Sequence, residues 1–447
     1  MDISINCSRD PIGTNGNRCN KKWLPRLKTI APSPDLYIMK NNTMGQNYVV
    51  NHKIKKISCR QTLNSHCKWT NEFVMELSNG ITGVGTSPQG ETLSIYESSS
   101  KSGEEFAELI RKQIYAEIKE RALNQVELDH ILDGMKQTFG QDNTFALSLA
   151  FFDAVCNYNH AYPYILLRHL YRLPPVRSDL PKLLLNVMNG GFCAYTNPVL
   201  SDFPEYLLVP HFQNIKELLY AFGKIRALIG EKLNALPKMK VGNNWVFHQK
   251  TKSNHVWIEF LLDVLAQSGF SGKFGIMIDA SAGDLWDRGR YRFAITGRRT
   301  FTSAEFCRYW ADMLSAYPIN ILEDPFSEIH NAAWVRLLKL FPDRLIAGDN
   351  LCATNVKRID QAVKKKMISA VLIKPNQAGT VSATVNALKI GVSSGITVIP
   401  SHRSIETEST FLSDLIHAFG CRYMKLGLLT DFETVMKLNK LLRYQSR

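Results

Sequence analysis

Six charged or imidazole side chains stand at or beside the ends of short apolar runs in the C-terminal half of the sequence. Asp279 closes FGIMID, Glu323 ends NILE, Asp349 closes LIAGD, Lys374 closes AVLIK, His402 follows TVIPS and Lys425 follows YM. The last five recur at intervals of 23–28 residues. Three carboxylates carried on separate rigid strands offer hard oxygen ligands to a divalent cation such as Mg²⁺, with coordination positions left open for substrate oxygens. A lysine beside such a cation has its proton affinity lowered and can serve as a base. The same acids could instead cap strands and pair with the lysines, but six such groups in register favour a site.

The elements that must position them are read from the intervals. Each interval holds a helical pattern: AAWVRLLKLF after Glu323, RIDQAVKKKM after Asp349 and SATVNALKIGVSS after Lys374. Strand and helix in strict alternation predict a parallel barrel, whose strand ends point into one mouth. The segment between Asp279 and Glu323 is longer and carries Arg288, Arg290, Arg292, Arg298 and Arg299 in a polar, hairpin-like stretch. Upstream, LLLNVMNGG starts the barrel region with an apolar run closed by Asn189, Gly190 and Gly191, and EYLLVP begins a second run at Glu205.

The whole chain of 447 residues fits a barrel with a smaller added domain. Residues 1–48 are rich in Asn, Lys, Arg and Pro without periodicity and read as a basic, disordered tail, with KKWLPRLK at Lys21–Lys28 its most basic piece. Residues 49–176 read as an α+β domain, with a hairpin turn at Asn79-Gly80 and helical runs up to Pro174-Pro175. Residues 177–447 carry the barrel and the site. A formal net charge of +14 favours anionic partners, and the arginine-rich stretch lacks the stacking or groove-reading motif of a nucleic-acid module, so nucleic acid is not the expected partner. Nothing approaches a membrane-spanning apolar run. Nine cysteines without CxxC spacing, and a start without a secretory apolar core, point to free thiols in a reducing compartment.

With these segments in view, the chain resembles the enolase family, the phosphopyruvate hydratases of glycolysis, from about Ile54 to Arg443. The resemblance rests on LLLNVMNGG, SGFSGKFGIMIDAS, YPINILEDPF, the run from AGDNLCATNVKRIDQAV through KKKMISAVLIKPNQAG, SHRSIETESTFLSDL and NKLLR, in that order. It implies an α/β fold of enolase type, a modified (β/α)8 TIM barrel with a smaller α+β N-terminal domain, and a cytoplasmic homodimer. It also implies Mg²⁺ held by Asp279, Glu323 and Asp349, with Lys374 removing the acidic proton of 2-phosphoglycerate; a Lys or His base beside Mg²⁺ is known enolase-superfamily chemistry, borrowed from the family. Lys425 falls near the expected substrate carboxylate, and His402, Arg403 and Ser404 match a phosphate-binding segment. Thr92 falls where a lid hydroxyl belongs, and Glu205 matches a second catalytic glutamate if a short insertion follows Cys193.

The sequence departs from the family where the second half of the reaction should be. The glutamate that helps to eliminate the hydroxyl falls on Asn244, whose amide cannot donate and reclaim a proton. An active-site histidine falls on Cys193, and Ser94 replaces a lid glycine, which predicts hindered closure. Two readings follow: an enolase with impaired or differently supplied dehydration, or a noncatalytic enolase-like protein that binds a ligand or partner through the retained mouth. A third, another metal-assisted proton-abstracting enzyme, lies between them.

Overall fold

Strand β1 (His52–Leu63) is long, alternates buried and exposed residues at its start, and pairs antiparallel with β2 (Trp69–Leu77). β2 pairs in turn with β3 (Thr82–Thr86) across the Asn79-Gly80 turn, where Gly80 takes a φ of 87°. The short strand Ala122–Leu123 completes this four-stranded sheet. The computed structural model describes residues 47–86, 88–90, 94–97, 103–175, 179–191 and 195–446. Residues 1–46 of the expected tail, Thr92 and Cys193 fall outside them.

Four helices follow: α1 (Glu104–Ile118), α2 (Gln125–Phe139), α3 (Gln141–Tyr158) and α4 (Pro163–Tyr171). α2 starts on a capping box in which Asn124 and Glu127 exchange backbone N–H bonds. α3 is buried almost throughout and lies directly against β3. A Cβ on Gly83 would stand 2.0 Å from the Ala154 nitrogen, and one on Gly85 1.9 Å from the Ala146 oxygen, so only glycine permits this approach.

The second sheet forms the barrel wall. Its strands in spatial order are β4 (Lys182–Gly190), β5 (Glu205–Pro210), β6 (Phe274–Asp279), β7 (Ile319–Glu323), β8 (Leu345–Gly348), β9 (Ala370–Ile373) and β10 (Thr397–Pro400), while β11 (Tyr423–Leu426) pairs with the free side of β4. A parallel bridge between Ser401 and Lys425 spans the remaining gap between β10 and β11. Helices α5 (Ile215–Asn234), α6 (His255–Gln267), α7 (Ser303–Ala316), α8 (Asn331–Leu340), α9 (Val356–Lys364), α10 (Val381–Ser393), α11 (Phe411–Phe419) and α12 (Phe432–Gln445) alternate with the strands from β5 onward. α5 and α6 flank a hairpin of Lys238–Val241 and Asn244–Phe247. The strands from β6 to β10 pair in parallel, as the alternation in that stretch predicts. Upstream of it, β5 runs antiparallel to both β4 and β6, and the described residues between Gly190 and Glu205 hold a two-residue strand, Pro198–Val199, and no crossover helix.

Side chains alternate across a strand, so every second residue enters the barrel. Leu184, Leu207, Met277, Ile321, Ala347, Leu372, Ile399 and Tyr423 form the inner core, one from each of the eight strands. A much larger apolar cluster fills the space between strands and helices and continues into the N-terminal helices. No described helix is long and apolar enough to cross a membrane.

A buried polar clasp joins the N-terminal helices to the barrel. Asp129 on α2 accepts the Ser382 backbone N–H at 2.7 Å, at the start of α10, together with the Ser148 hydroxyl at 2.6 Å and the Gln125 amide at 3.0 Å. Burial pushes its carboxyl up to about 6, against the opposing pull of these hydrogen bonds. Replacing Asp129 by Ala leaves buried donors unmatched and is expected to cost about 1–3 kcal/mol in urea denaturation. The cost should be larger at pH 5 than at pH 7. A carboxyl whose folded pKa is raised contributes most stability at low pH and loses it as pH rises through that value.

Candidate active site

Two residues beyond five of the eight inner-core residues, at one end of the barrel, stand groups that carry charge. Met277 leads to Asp279, Ile321 to Glu323, Ala347 to Asp349, Leu372 to Lys374 and Tyr423 to Lys425. Because β5 is reversed, its first residue, Glu205, sits at the same end, two before Leu207. The register is direct: Asp279 lies opposite Glu205 on one side and Glu323 on the other.

These side chains converge on two ammonium groups. Lys425 Nζ lies 2.7 Å from Glu205, 2.9 Å from Asp279 and 2.6 Å from Glu323, all of them buried. Glu205 Oε2 meets it as an ion pair and not as a hydrogen bond. Lys374 Nζ donates to Asp349, whose other oxygen lies 3.4 Å from the Gln377 amide. Glu205, Asp279, Asp349, Lys374, His402, Arg403, Ser404 and Lys425 line one cleft of about 60 Å³.

Burial pulls the Lys425 ammonium down, but the carboxylates of Asp279, Glu205 and Glu323 outweigh it and hold its pKa well above the ordinary lysine value. Burial likewise opposes ionisation of Glu205, yet Lys425 and the hydrogen bond from Tyr195 bring it below the usual glutamate range. Glu323 goes the other way: burial, and then the Asp279 charge, push it well above normal. Its Oε1 has no hydrogen-bond partner. Among the described residues no ready-made cage of three or more His, Cys, Asp or Glu side chains appears, since the acids face the lysines. The orphaned Glu323 oxygen and its suppressed ionisation are nonetheless what a carboxylate short of positive charge displays, so these donors fit a hard divalent cation.

His402 follows β10 and its backbone N–H donates to the Lys425 carbonyl at 3.2 Å. Although partly open to solvent, its ring is enclosed by protein, and burial drags its pKa down to about 3, with Lys425, Lys437 and Lys374 adding to the effect. It is therefore a neutral imidazole at pH 7. Arg403 Nη1 lies 3.0 Å from Glu97 Oε2, with both side chains 4% exposed. Ser404 lines the cleft beside them.

Several participants were not foreseen. Asp324 is buried and accepts the backbone N–H groups of Asp349 at 3.0 Å and Asn350 at 2.6 Å, fixing where Asp349 begins. Gln377 donates to Glu97 at 3.0 Å and so links the loop to the Asp349 end of the cleft. Tyr195 donates its hydroxyl to Glu205 Oε1 at 3.0 Å, beside the Asn186 amide at 3.1 Å. Asn186 carried a signal after all, standing two beyond the inward Leu184; the loop residues offered none. Ser94, expected to hinder closure, is buried, and its hydroxyl donates to the Asn350 carbonyl at 2.9 Å, so it ties the loop to the barrel. Asn244 donates its amide to the Gly191 carbonyl at 3.0 Å from the hairpin. It is not among the described residues lining the cleft.

A family model described as the enolase C-terminal TIM barrel domain matches residues 177–447. The chain is 30% identical over 419 residues to an enolase of Ehrlichia ruminantium (strain Welgevonden), covering 88% of this chain and 96% of the relative. It is also 30% identical over 417 residues to an enolase of Ehrlichia canis (strain Jake), with the same coverage. The chain belongs to the enolase family. An enolase-family barrel thus carries this ring of acids and lysines, with the small antiparallel sheet preceding it.

Removing Lys425 would leave three buried carboxylates around one point. Lys425→Ala is expected to cost about 3–5 kcal/mol of stability at pH 7. In the variant, carboxyls with raised folded pKa values regain stability as pH falls, so the deficit measured by denaturation should shrink at pH 5.

Proposed function

We propose that the protein is a Mg²⁺-dependent phosphopyruvate hydratase that converts 2-phosphoglycerate to phosphoenolpyruvate and water. The observation that carries this reading is the convergence of Glu205, Asp279 and Glu323 on Lys425, with Lys374 against Asp349, at the same end of a family barrel. A homodimer and a cytoplasmic location accompany the reading by family resemblance. Asp279, Glu323 and Asp349 would hold the cation, which when bound supplies positive charge beside the substrate carboxylate.

The chain's own residues then divide the work. Lys374, presented from the end of β9, takes the proton from C2. Lys425 sets an ammonium beside the carboxylate on which charge accumulates. Arg403 and Ser404 meet the phosphate, the guanidinium as a fork suited to its oxygens. Arg403 Nη1 is already engaged by Glu97 Oε2 at 3.0 Å, so a phosphate meets a guanidinium that has one carboxylate partner in place.

The noncatalytic reading draws on two observations, the engagement of Arg403 by Glu97 and the amide at Asn244. A coupled assay with 2-phosphoglycerate and Mg²⁺ separates the two. Turnover above background is expected, and Lys374→Ala should abolish hydrogen exchange at C2 in D₂O with an unchanged circular dichroism spectrum. Absence of both exchange and turnover in the wild type would leave the noncatalytic reading standing.

A further inference from the structure

Elimination of the hydroxyl from C3 needs a proton, because hydroxide is a poor leaving group. Asn244 has no acidic proton to give and bonds to the Gly191 carbonyl. His402, a neutral imidazole, is a poor donor, and Lys425 is committed to three carboxylates. Glu205 is held in its ionised form by its neighbours: Asn186 and Tyr195 donate to Oε1, and the Lys425 ammonium forms an ion pair with Oε2. The hydrogen bond between Tyr195 and Glu205 therefore has its proton on the phenol. Tyr195 lines the cleft together with Lys374 and Arg403 and is 38% exposed, while its hydroxyl reaches the buried Glu205.

We propose that Tyr195 is the proton donor to the departing hydroxyl, with Glu205 holding its phenol in place. The inference rests on the hydratase reading above. Lys374 takes the C2 proton, the C2–H electron pair becomes the C2–C3 double bond, and the C3–O bond breaks with its pair going to oxygen. The phenol O–H turns from Glu205 Oε1 to that oxygen, and its proton passes there to form water. The phenolate then recovers a proton from water. A phenol, with an ordinary pKa of about 10, is a far stronger acid than water at about 15.7, so the transfer runs downhill. The Lys425 ammonium, paired with the same Glu205, offsets the repulsion between phenolate and carboxylate.

The test is Tyr195→Phe, assayed with 2-phosphoglycerate and Mg²⁺ in D₂O, with deuterium at C2 followed by NMR and phosphoenolpyruvate by absorbance. Loss of a positioned acid predicts a fall of about 100-fold or more in phosphoenolpyruvate formation. C2 exchange, which needs only the base and the cation, should stay within a few-fold of wild type. Global replacement of tyrosine by difluorotyrosine is the second measurement, since it acidifies the phenol with little change of shape. It should move the alkaline limb of the elimination profile to lower pH, and the same replacement in Tyr195→Phe should not. Elimination within a few-fold of wild type in Tyr195→Phe overturns the proposal, as does an equal fall in exchange and elimination, or an alkaline limb that the fluorinated residue leaves in place. A wild type that exchanges C2 but forms no phosphoenolpyruvate overturns it too, without touching the assignment of Lys374. A wild type with no exchange at all removes the hydratase reading itself.

Discussion

The account depends on the shortage of positive charge at one end of the barrel. Lys425 is shared by Glu205, Asp279 and Glu323, and Lys374 serves Asp349, so four carboxylates face two ammonium groups in a cleft that excludes most water. Isolated buried charges are too costly to persist, and the cost appears here as Glu323 being driven toward its neutral form. Lys425 is what holds these acids together.

The backbone places those charges with a simple device. Strands β6, β7, β8, β9 and β11 each contribute an inner apolar residue and, two positions on, a charged one, so the packed interior and the charged mouth are successive layers of a single alternation. Reversal of β5 brings the first residue of that strand, and not its last, to the mouth. Asp324 then anchors the turn after β7 to the start of the loop after β8, which fixes the backbone of Asp349 while its carboxylate meets Lys374.

The strand-end groups from Asp279 to Lys425 were legible in the sequence because short apolar runs ended in charge at a nearly constant interval. Glu205 was legible only through the family resemblance. Every residue of β5 is buried, so no polar alternation announces its direction, and a leading charge gives no hint that the strand runs backwards. Glu97, Ser94 and Tyr195 lie in loops, where contact partners are set by long-range docking and not by local period. Ser94, which stands where the lid glycine is expected, places its hydroxyl on the Asn350 carbonyl, a contact set by the docking of the loop. Thr92 and Cys193 lie outside the described residues.

The loop from Pro88 to Glu97 reaches the barrel at several points. Gln89 and Ile405 exchange backbone hydrogen bonds, Ser94 reaches Asn350, the Arg358 guanidinium lies over the Tyr96 ring and Glu97 pairs with Arg403. The loop's own carboxylate thus engages the arginine that lines the cleft. Mg²⁺ titration calorimetry on the wild type and Glu323→Gln at neutral pH addresses this charge imbalance most directly. The account predicts saturable binding to the wild type and at least a tenfold weaker affinity, about 1.4 kcal/mol, when the Glu323 charge is removed. Equal affinities in the two proteins, or no binding to the wild type, would contradict it.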